Sequence, residues 1–226
     1  MNRGRRGNME IDGASANRRP LKSRGTAWAA AAARLALASG ISADGVSILG
    51  IVISLLGAAA LVTGFLSPWH FLIGAAAVQL RLLCNMIDGM VALEGGRKSP
   101  YGPIYNELPD RIEDSLLLIA AGMAAGVEGF LLGSLAALLA AICAYVRLLG
   151  GTLGQPQDFS GPQAKPHRMF VLTIGLVAAF LGSMTKGKFY YGSNALTLSL
   201  AIIAAGTLLT IARRTLRIAR RLREAQ

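Results

Sequence analysis

Residues 44–64 read DGVSILGIVISLLGAAALVTG. After Asp44 the run carries no charge. At roughly 1.5 Å of rise per residue, about 20 such residues cross the hydrocarbon layer of a bilayer. The run reads as a membrane-spanning helix, with Ser42 or Asp44 as its N-cap. Five further runs read the same way, at residues 69–92, 106–125, 129–149, 168–185 and 194–212. Pro68 precedes the first of these, a position that suits a helix start. The whole chain agrees. Of its 226 residues 53% are hydrophobic and only 15% charged, against about 25% charged in soluble domains, and the mean hydropathy is +0.49. This composition excludes a disordered chain and speaks against a soluble globule. The fold expected is all-α: an integral membrane bundle of six transmembrane helices with an N-terminal interfacial helix.

The charges outside these runs set the expected organisation. Residues 1–25 hold Arg3, Arg5, Arg6, Arg18, Arg19, Lys22 and Arg24 against Glu10 and Asp12, and read as a basic, disordered cytoplasmic tail. No short apolar region with a cleavage site follows it, so it is not a signal peptide. Residues 26–39 (TAWAAAAARLALAS) are helical by propensity but too short to span. Trp28 and Arg34 suit a helix lying in the interface; a helix packed on other helices is the alternative. The membrane domain runs over 26–212, and 213–226 reads as a basic cytoplasmic extension of the last helix, carrying Arg213, Arg214, Arg217, Arg220, Arg221 and Arg223. Linkers 65–68, 126–128 and 185–193 hold only Lys186 and Lys188, whereas 93–105, 150–167 and both tails hold most of the remaining Lys and Arg. The positive-inside rule then places both termini of a multi-pass protein in the cytoplasm. The net charge of +11 is accounted for in this way, without nucleic acid. Cys84 and Cys143 lie inside apolar runs and imply no disulfide.

Ionisable groups at the edge of spanning helices are costly and point to function by default. They concentrate in residues 85–115, NMIDGMVALEGGRKSPYGPIYNELPDRIEDS. Asn85 and Asp88 share one face of a helix. Asn106, Asp110 and Asp114 share one face of the next, with Glu107 on its flank. Two oxygen-bearing faces thus meet at the cytoplasmic edge. Converging carboxylates suit a hard cation such as Mg²⁺ or Mn²⁺, which often bridges to phosphate. Gly89 lets a ligand approach the backbone beside Asp88. Two other readings remain at this point: structural pairing of the acids with Arg81 and Arg111, and an ion pathway.

The window resembles the signature of the CDP-alcohol phosphatidyltransferases, D-x2-D-G-x2-A-R-x8-G-x3-D-x3-D. Its positions fall on Asn85, Asp88, Gly89, Ala92, Leu93, Gly102, Asn106 and Asp110 with every spacing kept. ISADGVS at 41–47 resembles the family's helix-opening segment, with Ala43 and Asp44 where Pro and Asn are usual. The resemblance covers residues 26–212. It implies divalent metal, Mg²⁺ or Mn²⁺, held by the residues at the four aspartate positions, and Asp110 as general base. It implies that Gly89, Ala92 and Gly102 receive the CDP-linked substrate, and that CDP-diacylglycerol and a small alcohol are the reactants. It also implies that a homodimer is the assembly to look for. Three positions depart from the pattern: Asn85 and Asn106 replace aspartates, and Leu93 replaces the arginine. A unit charge pair at 4 Å is worth about 4 kcal/mol at an effective dielectric of 20, so the losses weaken a two-metal site. Glu107 and Asp114 are the neighbours placed to restore charge.

Residues 147–168 bring Arg147, Lys165, His167 and Arg168 to the same side. In the family this region helps form the acceptor pocket. A basic cluster there suits an acceptor with a phosphate or carboxylate, such as a phosphorylated polyol; ordinary positive-inside loop charge is the other reading. Arg81, one turn from Asn85, reads as a counter-ion to the acids. The expected activity is metal-dependent transfer of a phosphatidyl group from a CDP-linked lipid to an alcohol, with release of CMP, at the inner leaflet. The alternative is a catalytically inactive relative that binds lipid or a partner. No P-loop, zinc spacing or nucleophile elbow is present.

Overall fold

The structure is a computed structural model that describes residues 26–94, 101–186 and 189–225. The basic tail 1–25, the loop residues 95–100 and Lys188 lie outside the described residues. The described residues form seven α-helices and no strand: α1 Ala27–Ala38, α2 Ala43–Val62, α3 Trp69–Glu94, α4 Gly102–Ala124, α5 Val127–Thr152, α6 Lys165–Lys186 and α7 Phe189–Glu224. A 3₁₀ turn, Gly64–Leu66, joins α2 to α3. Of the two cap residues open from the sequence, Ser42 is the one used: its Oγ accepts from the Gly45 N–H at 3.1 Å.

Five helices are long and apolar enough to cross a membrane: α2, α3, α5, α6 and α7. The sixth expected span, α4, does not qualify by composition. Its first half carries Glu107, Asp110, Arg111, Glu113 and Asp114, while its second half buries Leu117, Leu118, Ala120, Ala121 and Ala124 in the core. The α4 helix is thus divided between a polar end and an apolar end. The α1 helix buries Ala29 and Ala33 against Met86 and Met90 of α3, and leaves Trp28 and Leu35 exposed. It packs on the bundle and presents apolar surface at once.

The six longer helices form a closed ring. Round it the order is α3, α2, α4, α5, α7, α6 and back to α3, each helix packed on its two neighbours. Small residues permit the close approach. A Cβ at Gly133 of α5 would meet the Leu118 carbonyl oxygen of α4 at 2.5 Å, so only glycine fits there. The α4–α5 connection turns at Gly126, whose φ of +88° suits glycine. The apolar core joins Leu61, Phe71, Val78, Leu117, Met169, Leu176, Leu200 and Ile203 from five of these helices. Because the helices alternate in direction, the C-terminal part of α3, the N-terminal parts of α2, α4 and α6, the C-terminal end of α5 and the basic part of α7 come to one end. The charged window of the sequence lies at that end.

Candidate functional site

Asp88 of α3 is buried, with 5% of its surface exposed. Its Oδ2 accepts from the Ser47 hydroxyl of α2 at 2.7 Å. The Gly89 amide lies beside the carboxylate, yet Oδ1 has no well-formed hydrogen bond among the described residues. The charges of Asp110 and Lys165 bear on it across the bundle. Ser47 was passed over in the sequence because a lone hydroxyl in an apolar run usually bonds its own helix; it does so here as well, to the Ala43 carbonyl at 3.2 Å.

The acids of α4 are met by bases from α3, α5 and α6. Asp110 pairs with Lys165 of α6 and, at 3.4 Å, with Arg111. Glu107 accepts from Arg147 of α5 at 2.7 and 2.6 Å, and Arg111 lies 3.7 Å away. Deeper in the bundle, Arg81 of α3 pairs with Glu113 at 2.9 Å and with Asp114. Arg168 reaches the other oxygen of Asp114 at 3.1 Å and donates to the Gln163 carbonyl at 2.9 Å. Asn85 donates its amide N–H to Glu113 at 3.2 Å. Glu113 is held against Gly50 of α2, where a Cβ would stand 2.6 Å from its Oε1. Burying so many charges is tolerable because they are paired and hydrogen-bonded. Arg81 is the counter-ion that the sequence suggested. Glu113 was not singled out there, although it lies three residues from Asp110 on the broad inner face.

The basic cluster divides in two. Arg147 and Lys165 keep 9% and 11% of their side chains exposed. Arg147 also donates to Gln157, and its guanidinium carbon stands 5.1 Å from the Phe159 ring centroid. Arg168 is buried, and its two terminal nitrogens are bonded to the Gln163 carbonyl and Asp114. The His167 side chain is exposed and takes no part in these pairs. Arg214 belongs to the basic end of α7, which runs on to Glu224, yet it does not face solvent like its neighbours. It is instead buried, donating to the carbonyls of Ser160 at 3.0 Å and Cys143 at 3.2 Å. Its spacing of four from Thr210, which accepts from the Gln163 N–H at 3.1 Å, is the signal that it faces inward. In the loop between α5 and α6, Asp158 accepts from the Ser160 amide and hydroxyl at 2.9 and 2.6 Å and from Arg217 at 2.5 Å.

Ala92 is half-buried on α3 one turn beyond Asp88 and Gly89. Asn106 lies on α4 one turn before Asp110, and Gly102 opens that helix; their side chains are outside the described residues, as is that of Leu93. No three His, Cys, Asp or Glu side chains gather as a metal cluster among the described residues. The oxygens of Glu107, Asp110 and Asp114 are taken by basic groups. Glu113 gives one oxygen to Arg81 and Asn85 and keeps Oε1 buried without a hydrogen bond, and Asp88 alone of these acids has no basic partner among the described residues. A buried carboxylate oxygen lacking a partner, with the amide oxygen chemistry of Asn85 on the same face, fits one hard divalent cation.

The fold is shared with solved phosphatidylinositol phosphate synthases, and the expected likeness is borne out at the level of the fold. The phosphatidylinositol phosphate synthase PgsA1 of Mycobacterium tuberculosis, solved in complex with manganese and citrate, matches with a TM-score of 0.69 at 21% identity, over 84% of this chain and 88% of that one. The same enzyme with CDP-DAG bound gives a TM-score of 0.66 at 21% identity, over 84% and 92%. In sequence, the chain is 26% identical over 181 residues to the phosphatidylinositol phosphate synthase of Streptomyces avermitilis, covering 76% of this chain and 73% of that enzyme. No family model matches the chain.

Proposed function

We propose that the chain is a membrane-embedded transferase that moves a phosphatidyl group from a CDP-linked lipid, CDP-diacylglycerol, to the hydroxyl of a phosphorylated polyol. One observation carries this reading. Asp88, bonded to Ser47 at 2.7 Å, and Asp110, which Lys165 reaches from α6, lie at the same end of the ring, so acids and bases suited to a diphosphate and an anionic acceptor share that end. The likeness to phosphatidylinositol phosphate synthases supports it.

Asp88, with Asn85, would hold a divalent cation, which when bound neutralises diphosphate charge that develops as the reaction proceeds. The chain's own residues do the rest. Arg147 and Lys165, which each keep about a tenth of the side chain exposed, attract the acceptor's anionic group, competing with Glu107 and Asp110 for it. Arg168 and Arg214, tied into the frame, keep that region basic. Asp110 takes the proton of the acceptor hydroxyl. The hydroxyl oxygen bonds to the lipid-side phosphorus, the bond from that phosphorus to the bridging oxygen breaks, and CMP departs with the electron pair. The apolar faces of the ring keep the diacylglycerol part in the bilayer. Reading the basic linkers by the positive-inside rule, the reaction occurs at the cytoplasmic leaflet of the cell membrane with both termini in the cytoplasm.

The test is CMP release from CDP-diacylglycerol in mixed micelles with Mn²⁺ or Mg²⁺ and pooled acceptors: inositol phosphate, glycerol 3-phosphate, serine and other polyols. Metal-dependent CMP that disappears in Asp110→Ala is the expected result. No CMP above that variant with any acceptor would return the chain to the non-catalytic, lipid-binding alternative.

A further inference from the structure

We propose that Lys165 is a tethered cation, so that the site binds a single divalent ion at Asp88 and the lysine ammonium supplies the second positive charge beside Asp110. The inference rests on the metal-dependent transferase reading above and specifies its metal site. Among the described residues, each carboxylate of α4 has a basic partner: Glu107 has Arg147, Asp110 has Lys165, Glu113 has Arg81, and Asp114 has Arg81 and Arg168. Asp88 has no basic partner in that set, and its buried Oδ1 lacks a well-formed hydrogen bond. A divalent ion needs carboxylate oxygens that are not already committed to ammonium or guanidinium groups. Glu113 Oε1 is likewise buried without a hydrogen bond, but that carboxylate is already held by Arg81 and Asn85 through its other oxygen, so Asp88 is the one carboxylate of this set free of a basic partner, and it supports one ion.

Lys165 is suited to the other role. It opens α6 with Pro166 behind it, and its side chain keeps 11% exposure, so it is held at the rim of the site. Its charge bears on Asp88 and Asp114 as well as Asp110. An ammonium on a flexible stem is a compact point charge. The sequence is consistent: at the two positions where this chain has Asn85 and Asn106 it has two fewer negative charges to neutralise, and one ion plus one lysine matches the reduced demand.

The test counts Mn²⁺ bound per chain by electron paramagnetic resonance of the free ion, with purified protein in micelles saturated with CDP. The wild type is expected to bind one ion. Lys165→Met frees Oδ1 of Asp110, leaving only the longer Arg111 contact on Oδ2, and is expected to bind two, Lys165→Arg to stay at one, and Lys165→Met combined with Asp110→Asn to return to one. The charge-conserving variant and the paired variant guard against a count that changes only because the protein misfolds. Two ions in the wild type, none, or a count unmoved by Lys165→Met would overturn the inference. CMP release on the same samples separates the two readings. Activity with the wrong count sinks the tethered cation alone, and the expected counts without CMP from any acceptor sink the transferase reading alone.

Discussion

The Arg81 guanidinium of α3 meets Glu113 of α4 across 2.9 Å with both side chains wholly excluded from solvent, and the same group holds Asp114. One arginine therefore neutralises two buried carboxylates. Removing one partner of a buried pair leaves an uncompensated charge and costs about 3–5 kcal/mol. Arg81→Met is expected to lose stability on that scale. Arg81→Met combined with Glu113→Gln should recover part of the loss. Denaturant unfolding in micelles checks both, and equal losses in the two variants would contradict the pairing.

Asp110→Asn is expected to slow CMP release by about 10²–10⁴-fold, the usual contribution of a general base, with a smaller loss of stability than Arg81→Met. The Asp110 side chain is 17% exposed, and Asn keeps an oxygen that can accept from Lys165, so the fold loses less than the chemistry does. Loss of activity matched by loss of folding would assign Asp110 to structure instead.

Arg147→Ala is expected to raise the KM for an anionic acceptor about tenfold to hundredfold, the worth of a charge-assisted hydrogen bond of about 1.5–3 kcal/mol. The KM for the CDP-lipid should stay within about twofold. Steady-state kinetics with both substrates varied reads this directly. Equal rises in both constants would move Arg147 from the acceptor to the scaffold.

Asp158 lies outside the spanning segments. Partial burial raises its carboxyl pKa, but the Ser160 hydroxyl and amide and the Arg217 guanidinium prevail and hold it below the usual carboxylate range. A depressed folded value stabilises the folded state above the unfolded pKa near 4. That stabilisation is lost as the pH falls through the lower folded value. Asp158→Asn is therefore expected to cost about 1 kcal/mol at pH 7 and nothing at a pH below both values. Melting of the two proteins at pH 7 and in acid makes the comparison; a difference that survives in acid would rule out the carboxylate as its source.

The architecture was legible where the physics is local. Long uncharged runs need no tertiary information to be read as spans, and α2, α3, α5, α6 and α7 follow from them. The α4 helix was harder, because its charged first half is acceptable only when Arg81, Arg147, Lys165 and Arg168 arrive from other helices. The site divides in the same way. Helical spacing put Asp88 on an inward face and grouped Asp110 with Asp114. It did not say which bases stand opposite them, so the arginines that meet the oxygens of Glu107 and Asp114 had to be found in the structure. Arg214 was hidden for a related reason: in a run of arginines, nothing local marks the one that turns toward the Cys143 and Ser160 carbonyls.

The ring of helices also sets a timetable for synthesis. Arg81 precedes Glu113 by 32 residues, so α4 emerges with one counter-ion already made. Lys165 follows Asp110 by 55 residues and Arg168 follows Asp114 by 54. At roughly 5–20 residues per second, α4 waits some seconds for those two cations. Over that interval Asp110 lacks Lys165 and Asp114 depends on Arg81 alone. A nascent chain halted before α6 carries an acidic helix that the bilayer tolerates poorly, and arrival of α6 ends that exposure. The same pairs that shape the finished site thereby make completion of the chain a condition for its stable residence in the membrane.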